Sequence, residues 1–233
     1  MPTTVWPCTR PVHPNRSEPQ RQETPQRVFE RVLAGRLVAE YSRPHDTVVD
    51  LTAPDEGSAI AVPVAAAVLH RRCVTVTARR SRGDRWAALT TALTDTQTDR
   101  IVLCTPMPVD VAGDLDRDQP EPAELIVARH PAPGTTAPTH AAGTLCNRAL
   151  DLLAAGGVLA VILSDPADGQ PWVDHATPLI TAATERGLRY QQHIIALRVA
   201  LTAGRLVLPD DPRLPRPAGG LHRVAHTDLL IFG

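Results

Sequence analysis

Apolar and polar residues alternate in blocks along this chain, and the blocks change period. From Gln26 the residues Val28, Phe29, Val32, Leu33, Leu37, Val38 and Tyr41 recur three and four positions apart, the spacing of one helix face. Pro44 closes that helix, because the residue ahead of a proline is driven out of helical conformation. Short runs rich in β-branched residues follow at 47–51, 73–77, 101–104, 124–128, 158–163, 193–199 and 227–232, which predicts seven strands. Helical spacing fills 57–69, 84–93, 140–155 and 178–186, and Gly156-Gly157 reads as the stop of the third of these. Strands alternating with helices imply right-handed crossovers and a mainly parallel sheet covered on both faces, an α/β three-layer sandwich. The Pro-rich stretch 208–220 leaves room for an antiparallel hairpin, so the last strand is expected to run against the others.

The start of the chain breaks this pattern. Residues 1–25 carry six prolines among Arg, Gln, Ser and Glu, too little apolar surface to order themselves, and read as an extended, disordered arm ahead of one domain at 26–233. Segments 105–122 and 129–139 are irregular and lie just beyond the carboxyl ends of predicted strands, the edge where open α/β sheets bind ligands.

Composition narrows the chemistry. All 24 basic residues are arginine, and the absence of lysine removes Schiff-base catalysis and the phosphate-cradling lysine of a P-loop. A net charge of −1 gives no global attraction to nucleic acid or an anionic membrane, so nucleic-acid contact falls to local arginine clusters. Cys8, Cys73, Cys104 and Cys146 form no C-x-x-C pair, which argues against a zinc site and a disulfide framework, and no metal is expected. Without a signal-peptide pattern or an apolar run of membrane length, the expected location is the cytoplasm.

Several stretches carry a family resemblance. Tyr41-Ser42-Arg43-Pro44-His45-Asp46-Thr47-Val48-Val49-Asp50 is similar to the Y-T-R-P-G-D-x-V-L-D approach to the first strand of bacterial DNA amino-methyltransferases. Val5-Trp6 and Thr24-Pro25-Gln26-Arg27 resemble the arm and the H-P-x-K helix start ahead of that strand. Leu152-Leu153-Ala154-Ala155-Gly156-Gly157-Val158-Leu159 is similar to the L-x-P-G-G-x-L turn before the fifth strand, and His226-Thr227-Asp228-Leu229-Leu230-Ile231-Phe232 to the closing H-E-x-L-L-V-F. In order, these cover nearly the whole chain. The resemblance is to S-adenosylmethionine-dependent methyltransferases that act on N4 of cytosine or N6 of adenine, and to related RNA methyltransferases. It implies a Rossmann-like fold, S-adenosylmethionine as cofactor, and methyl transfer to an exocyclic amine.

Carried over residue by residue, the resemblance also marks departures. Where the family has D-P-F-A-G-S-G-T, this chain has Asp50-Leu51-Thr52-Ala53-Pro54-Asp55-Glu56-Gly57, so cofactor binding falls to Asp50, Thr52, Ala53 and Gly57, with Pro54 and Glu56 at the two glycine positions. Thr77 stands where an acid accepts hydrogen bonds from the cofactor ribose. In place of the catalytic D/N/S-P-P-Y this chain has Arg129-His130-Pro131-Ala132-Pro133, where one proline of the motif survives and both the amine acceptor and the aromatic on which a flipped base stacks are missing. The resulting expectation is a degenerate methyltransferase-like protein, either inactive or, if active, transferring methyl to an exocyclic amine with the Arg129 to Pro133 loop at the acceptor. The alternative is a non-catalytic interaction or scaffold protein on the same fold.

Individual residues keep two readings. Asp50 is either a ligand-facing carboxylate or a loop-fixing one, and Asp55 with Glu56 either an acid pair or a complement to a helix dipole. Val74-Thr75-Val76-Thr77-Ala78-Arg79-Arg80, followed by Ser81-Arg82, resembles the V-x-x-T-A-R-R of short-chain dehydrogenases, whose arginines meet the 2′-phosphate of NADP. Their Tyr-x-x-x-Lys is missing, which leaves an NADP-like binding module without dehydrogenase activity as a further alternative. His130 is placed to act as acid or base. His140 and His175 read as a helix-start and a surface residue, and Trp6 as the pin of the arm. Expected partners are nucleic acid, through Arg79 to Arg82 or Arg10, Arg16 and Arg21, or a second protein, and no membrane.

Overall fold

A computed structural model describes residues 2–9, 24–52, 60–76, 82–104, 121–131, 138–164, 173–202, 205–207 and 226–233. Strands β1 (Thr3–Pro7), β2 (Thr47–Leu51), β3 (Arg72–Val76), β4 (Ile101–Cys104), β5 (Ala123–His130), β6 (Leu153–Leu163), β7 (Tyr190–Leu197) and β10 (His226–Phe232) form one sheet in the order β1-β7-β10-β6-β5-β2-β3-β4. Ala200–Thr202 (β8) and Arg205–Val207 (β9) make a separate antiparallel hairpin. Within the large sheet β10 is antiparallel to both β6 and β7, as the hairpin reading predicts, and the remaining pairs are parallel.

Helices cover both faces. On one lie α1 (Pro25–Tyr41), α2 (Ala61–Val68), α3 (Arg82–Ala92) and the short α4 (Asp95–Thr98); on the other lie α5 (Pro138–Leu152) and α6 (Ala176–Glu185). The period-2 alternation of the strands divides the core accordingly. Val48, Leu125 and Val127 pack with Leu37 and Ala66 on the α1–α2 face, and Val49, Ile126 and Ala128 with Ala142 and Leu179 on the α5–α6 face. From β2 the chain works outward to β4 and returns to β5 on the other side of β2, which makes the carboxyl ends of β2 and β5 the switch point of the sheet. Among the described residues no helix is long and apolar enough to cross a membrane. Among the described residues no disulfide joins the four cysteines.

Two features differ from the sequence reading. Thr3–Pro7, which cannot order itself, is ordered by the sheet: it adds an eighth strand parallel to β7, with Thr3 opposite His193 and Pro7 opposite Leu197. Trp6 is buried there, its ring 6.4 Å from that of Tyr41 and 5.9 Å from the Arg36 guanidinium, the pinning role expected of it. Pro7 lacks an N–H and sits without cost on this edge strand. The helix expected to run to Ala155 ends instead at Leu152, because Leu153 already pairs with Ala123 and draws the alanines into β6. Gly156 holds φ +78°, and a Cβ on Gly157 would stand 2.7 Å from the Ala123 carbonyl oxygen, so both glycines belong to an irregular strand start.

Candidate functional site

The switch point is built from Asp50 outward. Asp50 is fully buried near the end of β2, on the same face as Val48, and both of its carboxylate oxygens are engaged. Oδ1 accepts from the Thr52 amide (3.0 Å) and the Thr52 hydroxyl (2.6 Å). Oδ2 accepts from the Thr75 hydroxyl of β3 (3.2 Å) and from Nη2 of Arg85 in α3 (2.5 Å). Arg85 is also completely buried, so this is an ion pair out of water, held by charge-assisted bonds that tie the exit of β2 to β3 and α3. Of the two sequence readings of Asp50, the geometry matches the loop-fixing one: its carboxylate faces the protein's own donors. Cys73 lies behind Thr75, with sulfur and hydroxyl 3.7 Å apart, and burial pushes its thiol pKa well up.

Arg129 and His130 are consecutive on β5 and therefore face opposite sides of the sheet. Arg129 belongs to the α1–α2 side, where with Thr52, Gln26, Phe29 and Arg198 it lines a cavity of about 70 Å³ beneath the start of α1. The Arg198 guanidinium lies 5.0 Å above the Phe29 ring, and its Nε donates to the Thr227 hydroxyl at 2.7 Å. A cavity this small takes a carboxylate or a few heavy atoms, well below the roughly 300 Å³ or more of a typical ligand pocket.

His130 belongs to the α5–α6 side and is 1% exposed. Its carbonyl accepts from the Ser164 amide (2.9 Å), and the Ser164 hydroxyl donates to the Pro131 carbonyl (2.7 Å), which fixes the chain as it leaves β5. Burial, and then the neighbouring charge of His175, push the His130 pKa down to about 4, so the ring is neutral at physiological pH. His175, read from sequence as a surface residue, is half-buried and meets the His130 ring edge-on at 6.3 Å between centroids. His140 is exposed in the first turn of α5, the helix-start position expected.

The structure thus brings Asp50, Thr52 and Arg129 to one face of the sheet edge and sends His130 to the other, while half-buried Pro131 follows on the chain leaving β5. Ala53, Gly57 and Thr77 lie outside the described residues, as do Pro54, Asp55, Glu56, Arg79 and Arg80. Sequence reasoning missed Arg85, Thr75 and His175. A signal existed for Arg85, which stands four residues before the buried Leu89 and so occupies the inward stripe of α3. Among the described residues no three His, Cys, Asp or Glu side chains cluster in a way that holds a metal.

Comparison with known proteins follows the architecture. No protein-family profile matches the chain, and no curated protein sequence does. Solved structures do. A methyltransferase from Pyrococcus furiosus superposes with TM-score 0.55 at 11% identity over 87% of this chain and 81% of its own. The chain has a methyltransferase fold. TrmN from Thermus thermophilus (TM-score 0.54, 16% identity, 87% of this chain) and a putative SAM-dependent methyltransferase from Streptococcus mutans (0.56, 15%, 88%) share it, and this chain spans 48% of the length of each. The glycopeptide N-methyltransferase MtfA, solved with S-adenosyl-L-methionine, matches with TM-score 0.53 at 10% identity over 86% of this chain and 92% of its own.

Proposed function

We propose that this chain is an S-adenosylmethionine-binding protein of the methyltransferase type, related to the DNA and RNA amino-methyltransferases, that retains the cofactor end of the site and has lost amine methylation. The observation that carries this reading is the clamp of Asp50 on Thr52, which fixes the chain leaving β2 beside a cavity lined by Arg129 and Arg198. Guanidinium groups at that point suit a carboxylate such as that of the cofactor's methionine portion. Loss of amine methylation rests on the end of β5, where the acceptor and the aromatic of the family loop are both missing and Arg129 and His130 diverge across the sheet. Isothermal titration with S-adenosylmethionine and S-adenosylhomocysteine tests the first half: binding of either supports it, and failure of both at millimolar concentration ends it. Methyl-³H transfer to DNA or RNA tests the second, and incorporation above a heat-killed control refutes the loss. The arginine-rich segments Arg10 to Arg21 and Arg79 to Arg82 are where this reading puts nucleic-acid contact, which filter binding at two salt concentrations measures.

A second reading, an interaction protein that keeps the fold without the ligand, is favoured by one observation: the Asp50 carboxylate is already saturated by the protein's own donors. Absence of cofactor binding combined with co-purification of a stoichiometric partner supports it over the first.

A further inference from the structure

Two hydrogen bonds fix the direction in which the backbone of β1 points. The Cys8 amide donates to the Leu197 carbonyl (3.2 Å), and the Pro2 carbonyl accepts from the His193 amide (3.5 Å). Backbone groups alternate in direction along a strand, so Pro2, Thr4, Trp6 and Cys8 turn theirs toward β7, and Thr3, Val5 and Pro7 turn theirs away from it. β1 ends the sheet, so the outward amides of Thr3 and Val5 and the outward carbonyls of Thr3, Val5 and Pro7 meet no further strand among the described residues. Side chains divide in the same way. Thr4 and Trp6 face α1, where Gln192 Nε2 donates to the Thr4 hydroxyl (2.6 Å) and its Oε1 accepts from the Tyr41 hydroxyl (2.8 Å). Thr3, Val5 and Pro7 are exposed on the opposite face, Val5 at 51%. Val5 stands beside half-buried Ile195, and neither belongs to a core cluster. Natural sheet edges are kept apart by charges, prolines or bulges. Here the side chains of residues 2–9 carry no charge, the register with β7 is unbroken, and the one outward proline, Pro7, comes at the end of the strand.

We propose that β1 pairs antiparallel with β1 of a second copy of this chain, about a two-fold axis at Val5, so that the two sheets become continuous. The Val5 amide then donates to the Val5 carbonyl of the second copy and the Thr3 amide to its Pro7 carbonyl, each bond being made twice by the symmetry. Every outward donor is used. The N–H that Pro7 lacks leaves only the Thr3 carbonyl to water. On one face the two exposed Val5 side chains meet, and on the other Thr4 falls opposite Trp6. Paired edges of five residues bury less than the roughly 1,200 Å² of a standard interface, so the dimer is weak, with a dissociation constant of about 10–1,000 µM.

The test is sedimentation equilibrium of the full-length protein from about 5 µM to 1 mM, the range that brackets such a constant. The expected result is a reversible monomer–dimer equilibrium. Val5→Pro removes an outward N–H and none of the bonds to β7, and is expected to weaken the dimer by more than about tenfold with the near-ultraviolet signal of buried Trp6 unchanged. Should that variant undock β1, Val5→Lys, which alters an exposed side chain alone and sets like charges across the axis, carries the test with the same expected loss. Val173→Ser, at an equally exposed valine elsewhere, leaves the equilibrium unchanged. Amide exchange identifies the edge: Thr3 and Val5 gain protection as concentration rises, whereas Thr4 and Trp6 are protected throughout. A wild-type chain that stays monomeric over the whole range overturns the proposal, as does a dimer that survives Val5→Lys or leaves the Thr3 and Val5 amides unprotected.

Discussion

Replacing Arg85 by methionine isolates the buried ion pair. The substitution keeps an unbranched side chain inside α3 but removes the guanidinium that donates to Asp50 Oδ2 at 2.5 Å, leaving a carboxylate with no exposure to solvent. Breaking one side of a buried pair costs about 3–5 kcal/mol. Three donors stay in place, the Thr52 amide, the Thr52 hydroxyl and the Thr75 hydroxyl, so the cost falls at the lower end, about 3 kcal/mol. In a chain of this size each kcal/mol moves the melting temperature by about 2–4 °C, so Arg85→Met is expected to melt roughly 6–12 °C lower by circular dichroism. Asp50→Asn fails differently, because its amide can still accept from Thr52 but confronts Arg85 and Thr75 with a second donor. The double variant Asp50→Asn/Arg85→Met removes both charges together, and the cycle is expected to return a coupling of about 2 kcal/mol. A loss below about 1 kcal/mol for Arg85→Met, together with additive single variants, would falsify the claim that this pair holds the exit of β2.

Three further outcomes follow from the same structure. Because the His130 pKa in the folded chain, about 4, lies below its unfolded value of 6.5, the unfolded state binds the extra proton between those limits, and stability present above pH 6.5 is lost as pH falls toward 4. The loss approaches about 3 kcal/mol, and urea midpoints at pH 7 and pH 4.5 read it, with His130→Gln flattening the dependence. Trp6→Ala removes the buried ring that pins β1 and is expected to cost about 3 kcal/mol and raise amide exchange in β7; unchanged exchange there counts against the docked arm. Gly157→Ala drives a methyl against the Ala123 carbonyl and is expected to cost about 1–3 kcal/mol by urea titration, whereas a neutral result contradicts the irregular pairing at the start of β6.

Legibility in the sequence followed locality. The strands β2 and β4 lie where their β-branched runs put them, because in each the signal is contained in five or fewer residues. The strand β1 was illegible for the opposite reason: its order comes from backbone pairing with β7, nearly two hundred residues away, and no local periodicity encodes an unpaired partner edge. Alanine-rich 153–155 misled by helix propensity, which the contact with Ala123 overrides. At the site, Asp50 was legible as a carboxylate at a strand end, but the reading of what it faces required Arg85, and in a chain whose basic residues are all arginine one inward arginine has no compositional signature. His175 escaped for a similar reason, since a half-buried position just before a helix looks the same in sequence as an exposed one.

The end of β5 shows why motif correspondence alone misassigns this site. Aligned to the family loop, Arg129, His130 and Pro131 read as three parts of one catalytic turn. As the last residues of a regular strand, however, Arg129 and His130 are subject to period-2 alternation, and the sheet stands between their side chains. Arg129 then shares its surroundings with Thr52 and Arg198, and His130 shares its own with His175. The two halves of the supposed turn can therefore be altered independently. Arg129→Ala is expected to weaken any S-adenosylhomocysteine binding, while His175→Ala leaves it unchanged. If both substitutions depress that affinity equally in folded protein, the two faces form one site and the division by strand geometry is wrong.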